Sequence, residues 1–122
     1  MSRIVYVNGR YVPEEEAKIP VFDRAFRFGD AVYEVTAVLD GRLVDFPPHL
    51  ERLDRSLKEI ALPSPLNHEA LRALHEELVR RNALTEGIVY LQISRGCADR
   101  DFAYPENATP TVVAFTQSRP LV

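Results

Sequence analysis

The sequence predicts an α+β domain: an antiparallel sheet with two helices packed on one of its faces. Three observations carry that expectation. Extended apolar runs at the start of the chain are joined by the turn dipeptides Asn8-Gly9 and Asp40-Gly41, which suit the positive φ angles of tight hairpins. Two leucine-striped segments then follow each other in the middle of the chain, and extended runs return after them. Hairpin-linked strands segregated from paired helices argue for an antiparallel sheet, since parallel strands would need helical crossovers between them.

Ile4 to Val7 and Tyr11 to Val12 flank Asn8-Gly9 and form the first hairpin. The stretch EEEAKIP reads as an exposed connector, and Phe22 to Phe28 as a short helical or irregular turn closed by Gly29. A second hairpin runs from Ala31 to Leu39, turns at Asp40-Gly41 and returns from Arg42 to Phe46. Pro47 and Pro48 stop that strand and suit a helix start, where a missing N–H costs nothing. Leu50, Leu53, Leu57 and Ile60 recur at helical spacing, so one face of this helix is apolar. Pro63 and Pro65 end it. Asn67 is placed to cap a second helix, whose buried face is Leu71, Leu74 and Leu78. Gly87 opens the strand IVYLQIS, the loop RGCADRDFAYPENATP follows, and TVVAFT is the last strand. SRPLV at the end has a linker's composition.

At 122 residues the chain fits one domain with a real core. It is 46% apolar and 27% charged, as ordinary globular proteins are. Its net charge of −3 comes without any basic stripe, which argues against a nucleic-acid surface. No apolar run reaches the length of a signal peptide or a membrane span. Cys97 is the only cysteine, so no internal disulfide forms and a cytoplasmic setting is expected. His68 and His75 lie two helical turns apart, about 10 Å by the helical rise, too far to share one ion, and no metal site is expected. GxGxxG, GxxxxGK[ST] and GxSxG are all absent, which removes the dinucleotide, P-loop and serine-hydrolase readings.

What remains is a set of arginines in loops and on helix flanks: Arg27, Arg52, Arg95 and Arg100. Arg52 falls well off the leucine stripe of its helix, and guanidinium groups anchor carboxylates and phosphates in bidentate fashion. The segment RFGDAVYEV adds a phenol and a carboxylate, Tyr33 and Glu34, just past a sharp bend.

FGDAVYEV, then HLERL, then SRGCADRDFAYP resemble the class IV pyridoxal-phosphate (PLP) aminotransferases, the D-amino-acid aminotransferase branch most of all. The resemblance extends from VNGRYV through VVAFT. It implies the small N-terminal domain of a fold type IV enzyme over residues 1–117, with 118–122 beginning an interdomain linker. By the same resemblance Arg52 binds the cofactor phosphate, while Tyr33 and Arg100 meet the substrate. Arg27 is a further candidate anion contact beside the bend. Implied partners are amino acid and 2-oxo acid substrates, a second subunit in a homodimer, and a C-terminal domain of the same protein.

Two departures qualify what the resemblance implies. The histidine usual two residues after the loop arginine is Phe102 here, which removes one hydrogen-bond donor from the expected carboxylate trap. The Schiff-base lysine that transamination requires belongs to the C-terminal domain in that family. Lys58 lies six residues from Arg52, roughly 240° around the helix, and Lys18 sits in the solvated connector. Neither is positioned to replace it. The expectation is therefore a domain that holds one wall of an aminotransferase site and does not turn over alone. An aminodeoxychorismate lyase relative and a non-catalytic anion- or protein-binding module are the alternatives.

Overall fold

The structure, a computed structural model, describes residues 2–99 and 108–122. Six strands form one antiparallel sheet in the order β2-β1-β6-β5-β3-β4. They are β1 (Ile4–Val7), β2 (Arg10–Pro13), β3 (Ala31–Leu39), β4 (Arg42–Leu43), β5 (Glu86–Ser94) and β6 (Thr111–Ser118). Helix α1 (Arg24–Phe28) precedes β3, and α2 (Phe46–Glu59) and α3 (His68–Arg81) lie between β4 and β5. The α+β expectation holds.

Local chemistry explains the boundaries. Asn8 and Gly9 take φ of 48° and 88°, and Asp40 and Gly41 take 52° and 73°, the left-handed values a type I′ hairpin turn demands. Asp23 caps α1 by accepting from the Ala25 N–H, and Asn67 caps α3 by accepting from the Ala70 N–H, each satisfying one orphan donor of a first turn. The second hairpin is shorter than its sequence suggests. β4 stops at Leu43, Asp45 turns the chain with φ of 51°, and Phe46 is already the first residue of α2. Burial is the reason: as a strand residue Phe46 would end at the sheet edge, whereas at the helix start its ring lies buried in the core.

Side chains alternate across each strand, and the helices cover one face only. On that face Tyr6, Val38, Val89, Leu91, Ile93, Val112 and Ala114 join Leu50, Leu53, Leu57 of α2 and Leu71, Leu74, Leu78 of α3 in one core cluster. Each fully buried leucine stabilises the fold by about 2 kcal/mol relative to exposure. Ile60, expected on the α2 stripe, is instead its C-terminal cap and only partly buried against the cluster. The opposite sheet face carries Tyr33, Tyr90 and Phe115 from three adjacent strands, stacked at centroid distances of 5.5 Å and 4.9 Å. Among the described residues no helix is long and apolar enough to cross a membrane.

Candidate functional site

The bend before β3 is fixed from below. Gly29 ends α1 in the left-handed region, with φ of 64°. Asp30 then turns inward, where its Oδ2 accepts from Arg24 Nε at 2.7 Å and from Arg95 Nε at 2.8 Å, all three side chains buried. Arg95 also donates to the Ile60 carbonyl at the end of α2. The sequence grouped Arg95 with possible anion anchors; in the fold it is an internal clamp joining α1, the start of β3, the end of β5 and the end of α2.

Past that clamp the strand alternation separates two neighbours. Tyr33 points to the open face, 62% exposed, and Glu34 points under α2, 4% exposed. β4 pairs with β3 only at Val38 and Leu39, so the Tyr33–Glu34 segment lies at an open sheet edge, with β5 as its described neighbour. α2 passes beside that edge. His49 and Arg52, three residues apart and therefore on one helical face, both reach down to Glu34. Arg52 Nε donates to Glu34 Oε2 and Arg52 Nη2 to Oε1, both at 2.8 Å, while His49 Nδ1 sits 2.6 Å from Oε1.

Electrostatics fix the protonation states. Burial on its own pushes the Glu34 carboxyl up, but hydrogen bonds from Arg52 and His49, with their charge, outweigh it and hold the group below the usual carboxylate range. An ionised carboxylate only accepts, so His49 Nδ1 carries the proton in this contact. Glu34 in turn raises the Arg52 guanidinium above its ordinary value, and the nearby Tyr33 phenol adds to that rise. Arg52 remains 59% exposed at its side chain. The fork to Glu34 occupies two of its five N–H groups, and the others have no partner among the described residues. The guanidinium is thus held in one orientation from behind and exposed in front, an arrangement whose chemistry suits an oxyanion.

The expected site residues fall into three groups. Arg52 and Tyr33 come together at the β3 edge. Arg27 lies on α1, where its guanidinium donates to the Phe22 and Ala98 carbonyls and lies over the Phe22 and Phe28 rings, 5.2 Å and 5.4 Å from their centroids. Arg100 and Phe102 lie outside the described residues. Sequence reasoning singled out Glu34 beside Tyr33 but missed that it braces Arg52, and it missed His49 and the Tyr90 ring stacked on Tyr33. The signals were present: strand alternation puts Glu34 opposite Tyr33, and HLER spaces a histidine and an arginine at i, i+3. A cavity of about 660 Å³ lined by Tyr6, Asn8, Pro65, Leu66, Cys97 and Thr109, among others, includes neither Arg52 nor Tyr33, and among the described residues no charged side chain lines it.

The family profile for amino-transferase class IV matches residues 31–121. The chain belongs to that family. Over 115 residues this class IV chain is 38% identical to the D-alanine aminotransferase of Staphylococcus epidermidis, covering 93% of the chain and 41% of that protein. It therefore spans about two fifths of the length of the curated relatives it matches. Among solved structures, 4-amino-4-deoxychorismate lyase from Pseudomonas aeruginosa is similar over 97% of this chain and 41% of its own, with TM-score 0.76 and 32% identity. The branched-chain amino acid aminotransferase of Escherichia coli superposes with TM-score 0.90 over 98% of this chain and 40% of its own. At 22% identity that likeness is one of fold.

Proposed function

We propose that this chain forms one wall of a pyridoxal-phosphate-dependent aminotransferase site, in which Arg52 holds the cofactor phosphate and Tyr33 faces the substrate. The reaction is transfer of an amino group from a small amino acid, of D-amino-acid or branched-chain type, to a 2-oxo acid. The observation that carries this reading is the fork from Arg52 to Glu34, which leaves the remaining guanidinium N–H groups directed outward beside an exposed phenol. Those donors fit a phosphate in geometry and sign. Bound pyridoxal phosphate supplies the electron sink that makes the substrate α-carbon acidic.

The chain's own residues bind and orient. Arg52 grips oxygens of the phosphate, and Glu34 keeps its guanidinium from swinging away. The Tyr33 hydroxyl offers a hydrogen bond to the substrate from the open sheet face, and the Tyr90 ring stacked behind it limits its rotation. Arg100 is assigned to substrate carboxylate binding on the family resemblance, and Arg27 is a candidate anion contact only by its place beside the bend. The lysine amine that moves the α-proton is assigned to a C-terminal domain of the same protein, working in a homodimer with amino acid and 2-oxo acid as partners. The 41% coverage of the D-alanine aminotransferase supports a second domain. The 32% identity to 4-amino-4-deoxychorismate lyase favours a second reading, elimination instead of transfer on the same wall.

The test is Arg52→Ala in the protein expressed from its whole reading frame, with pyridoxal phosphate affinity measured by equilibrium dialysis. Losing a charge-assisted fork is expected to weaken binding by at least about tenfold; unchanged affinity refutes the assignment. Amino transfer from D-alanine or from a branched-chain amino acid then identifies the substrate type, and turnover of 4-amino-4-deoxychorismate instead selects the lyase.

A further inference from the structure

We infer that His49 sets the net charge of the anion anchor, so that binding of a phosphate-type dianion at Arg52 is coupled to holding a proton on the His49 ring. This rests on the reading of Arg52 as the phosphate anchor. Glu34 contributes one negative charge and Arg52 one positive charge, and the fork between them cancels both locally. Glu34 Oε1 accepts from His49 as well as from Arg52, which makes His49 the third titratable member of this hydrogen-bonded cluster among the described residues. Its Nδ1–H is already committed to Glu34, so a second proton goes to Nε2 and makes the cluster cationic. With His49 neutral the anchor offers directed N–H groups without net charge; with His49 protonated it offers the same groups and one full positive charge.

The groups facing His49 leave it as the deciding member. From β3 the facing group is Glu34. On its own helix it is Arg52, with Tyr33 beyond. From α3 it is His75, whose own protonation is opposed by burial first and then by His49 and by Arg72. Among the described residues no second carboxylate bonds to His49 or Arg52, so nothing else there can offset a proton on the ring. Imidazole is the side chain whose charge ordinarily changes between pH 5 and 8. Linkage is reciprocal: if the proton favours the dianion, the dianion favours the proton by the same factor.

The test uses sulfate, a tetrahedral dianion whose own charge stays constant across this range, as phosphate's does not. Sulfate is titrated into the 122-residue chain between pH 8 and pH 5.5 and followed by NMR at the Arg52 Nε–H and the His49 ring. The expected result is binding that tightens roughly three- to tenfold toward pH 5.5, the scale of one nearby charge acting through solvent. His49→Gln, which keeps an N–H donor for Glu34 and cannot take up the proton, flattens that dependence. In the wild-type chain, sulfate moves the His49 titration to higher pH, a readout that does not require the variant to fold. A wild-type pH dependence in His49→Gln, or a His49 titration unmoved by sulfate, overturns the inference and leaves Arg52 as the anchor. Arg52→Ala separates the two claims: if it binds sulfate as the wild type does, the anchor itself is wrong.

Discussion

Acid should unfold this domain earlier than its carboxylates alone would require, because of one imidazole in the core. His75 lies on the inner face of α3, 1% exposed, its ring edge-on to Phe46 with centroids 4.6 Å apart. Nδ1 donates to the Leu71 carbonyl one turn back at 2.7 Å, and Nε2 is buried without a partner among the described residues. A second proton would have to sit on that nitrogen. Burial, with His49 and Arg72 adding to it, lowers the ring from 6.5 to about 4. The unfolded chain takes up this proton as the pH falls below 6.5, and the folded chain does not until near 4. Stability is therefore lost across that window on falling pH, and this contribution levels off below it. At about 1.4 kcal/mol per pH unit the full loss is about 3 kcal/mol, a large share of the 5–15 kcal/mol typical of a domain. His75→Leu removes the titration at nearly constant volume. Urea unfolding followed by circular dichroism, at pH 7 and pH 4.5 for both proteins, measures it: the wild type should lose about 2–3 kcal/mol more than the variant between those pH values. Equal losses would mean that the ring accepts its proton in the folded state, and the account of its burial would be wrong.

Two further substitutions test the scaffold. Asp30→Asn removes the charge shared by Arg24 and Arg95; leaving buried guanidinium groups without it should cost about 3–5 kcal/mol in chemical unfolding, and a loss under about 1 kcal/mol would show that the clamp is not structural. Gly87→Ala places a Cβ 2.1 Å from the Gln117 carbonyl oxygen, so β5 and β6 must separate there. The expected loss is about 2 kcal/mol or more, with earlier amide exchange at Gly87 and Ser118, which pair in the register; an unchanged exchange pattern would contradict the described approach of the two strands.

Much of this fold could be read before the structure was known, because its signals are local. Asn8-Gly9 and Asp40-Gly41 fix turns by backbone angle alone, Asn67 caps α3, and the leucine spacing orients both long helices. The sheet order is different in kind, since the pairing of β1 with β6 depends on contacts that no window of sequence contains. The length of β4 was misjudged for a related reason: Phe46 is equally apolar in a strand or a helix, and only the core beneath α3 decides. At the site, Tyr33 and Arg52 were visible through motif and helical angle. Arg95 misled, since a guanidinium's sequence does not show whether a buried carboxylate such as Asp30 has already claimed it. Glu34 stood out beside Tyr33, but its role as a brace did not, and His49 looks ordinary alone; the meaning of both lies in a contact between strand and helix.

The place of the last strand governs how the chain must assemble. β6 lies inside the sheet, between β1 and β5, and Tyr6 finds its partner Ala114 more than a hundred residues further on. A nascent chain emerging from a ribosome can close both hairpins and both long helices while the amino-terminal ribbon has only the end of α3 to dock on, through Ile4 with Asn82 and Tyr11 with Arg81, and still lacks its neighbour in the sheet. Only after β6 has been made can that ribbon be joined to the rest of the sheet, so the rate-limiting event should be a late, long-distance zippering on the millisecond-to-second scale usual for non-local strand pairing.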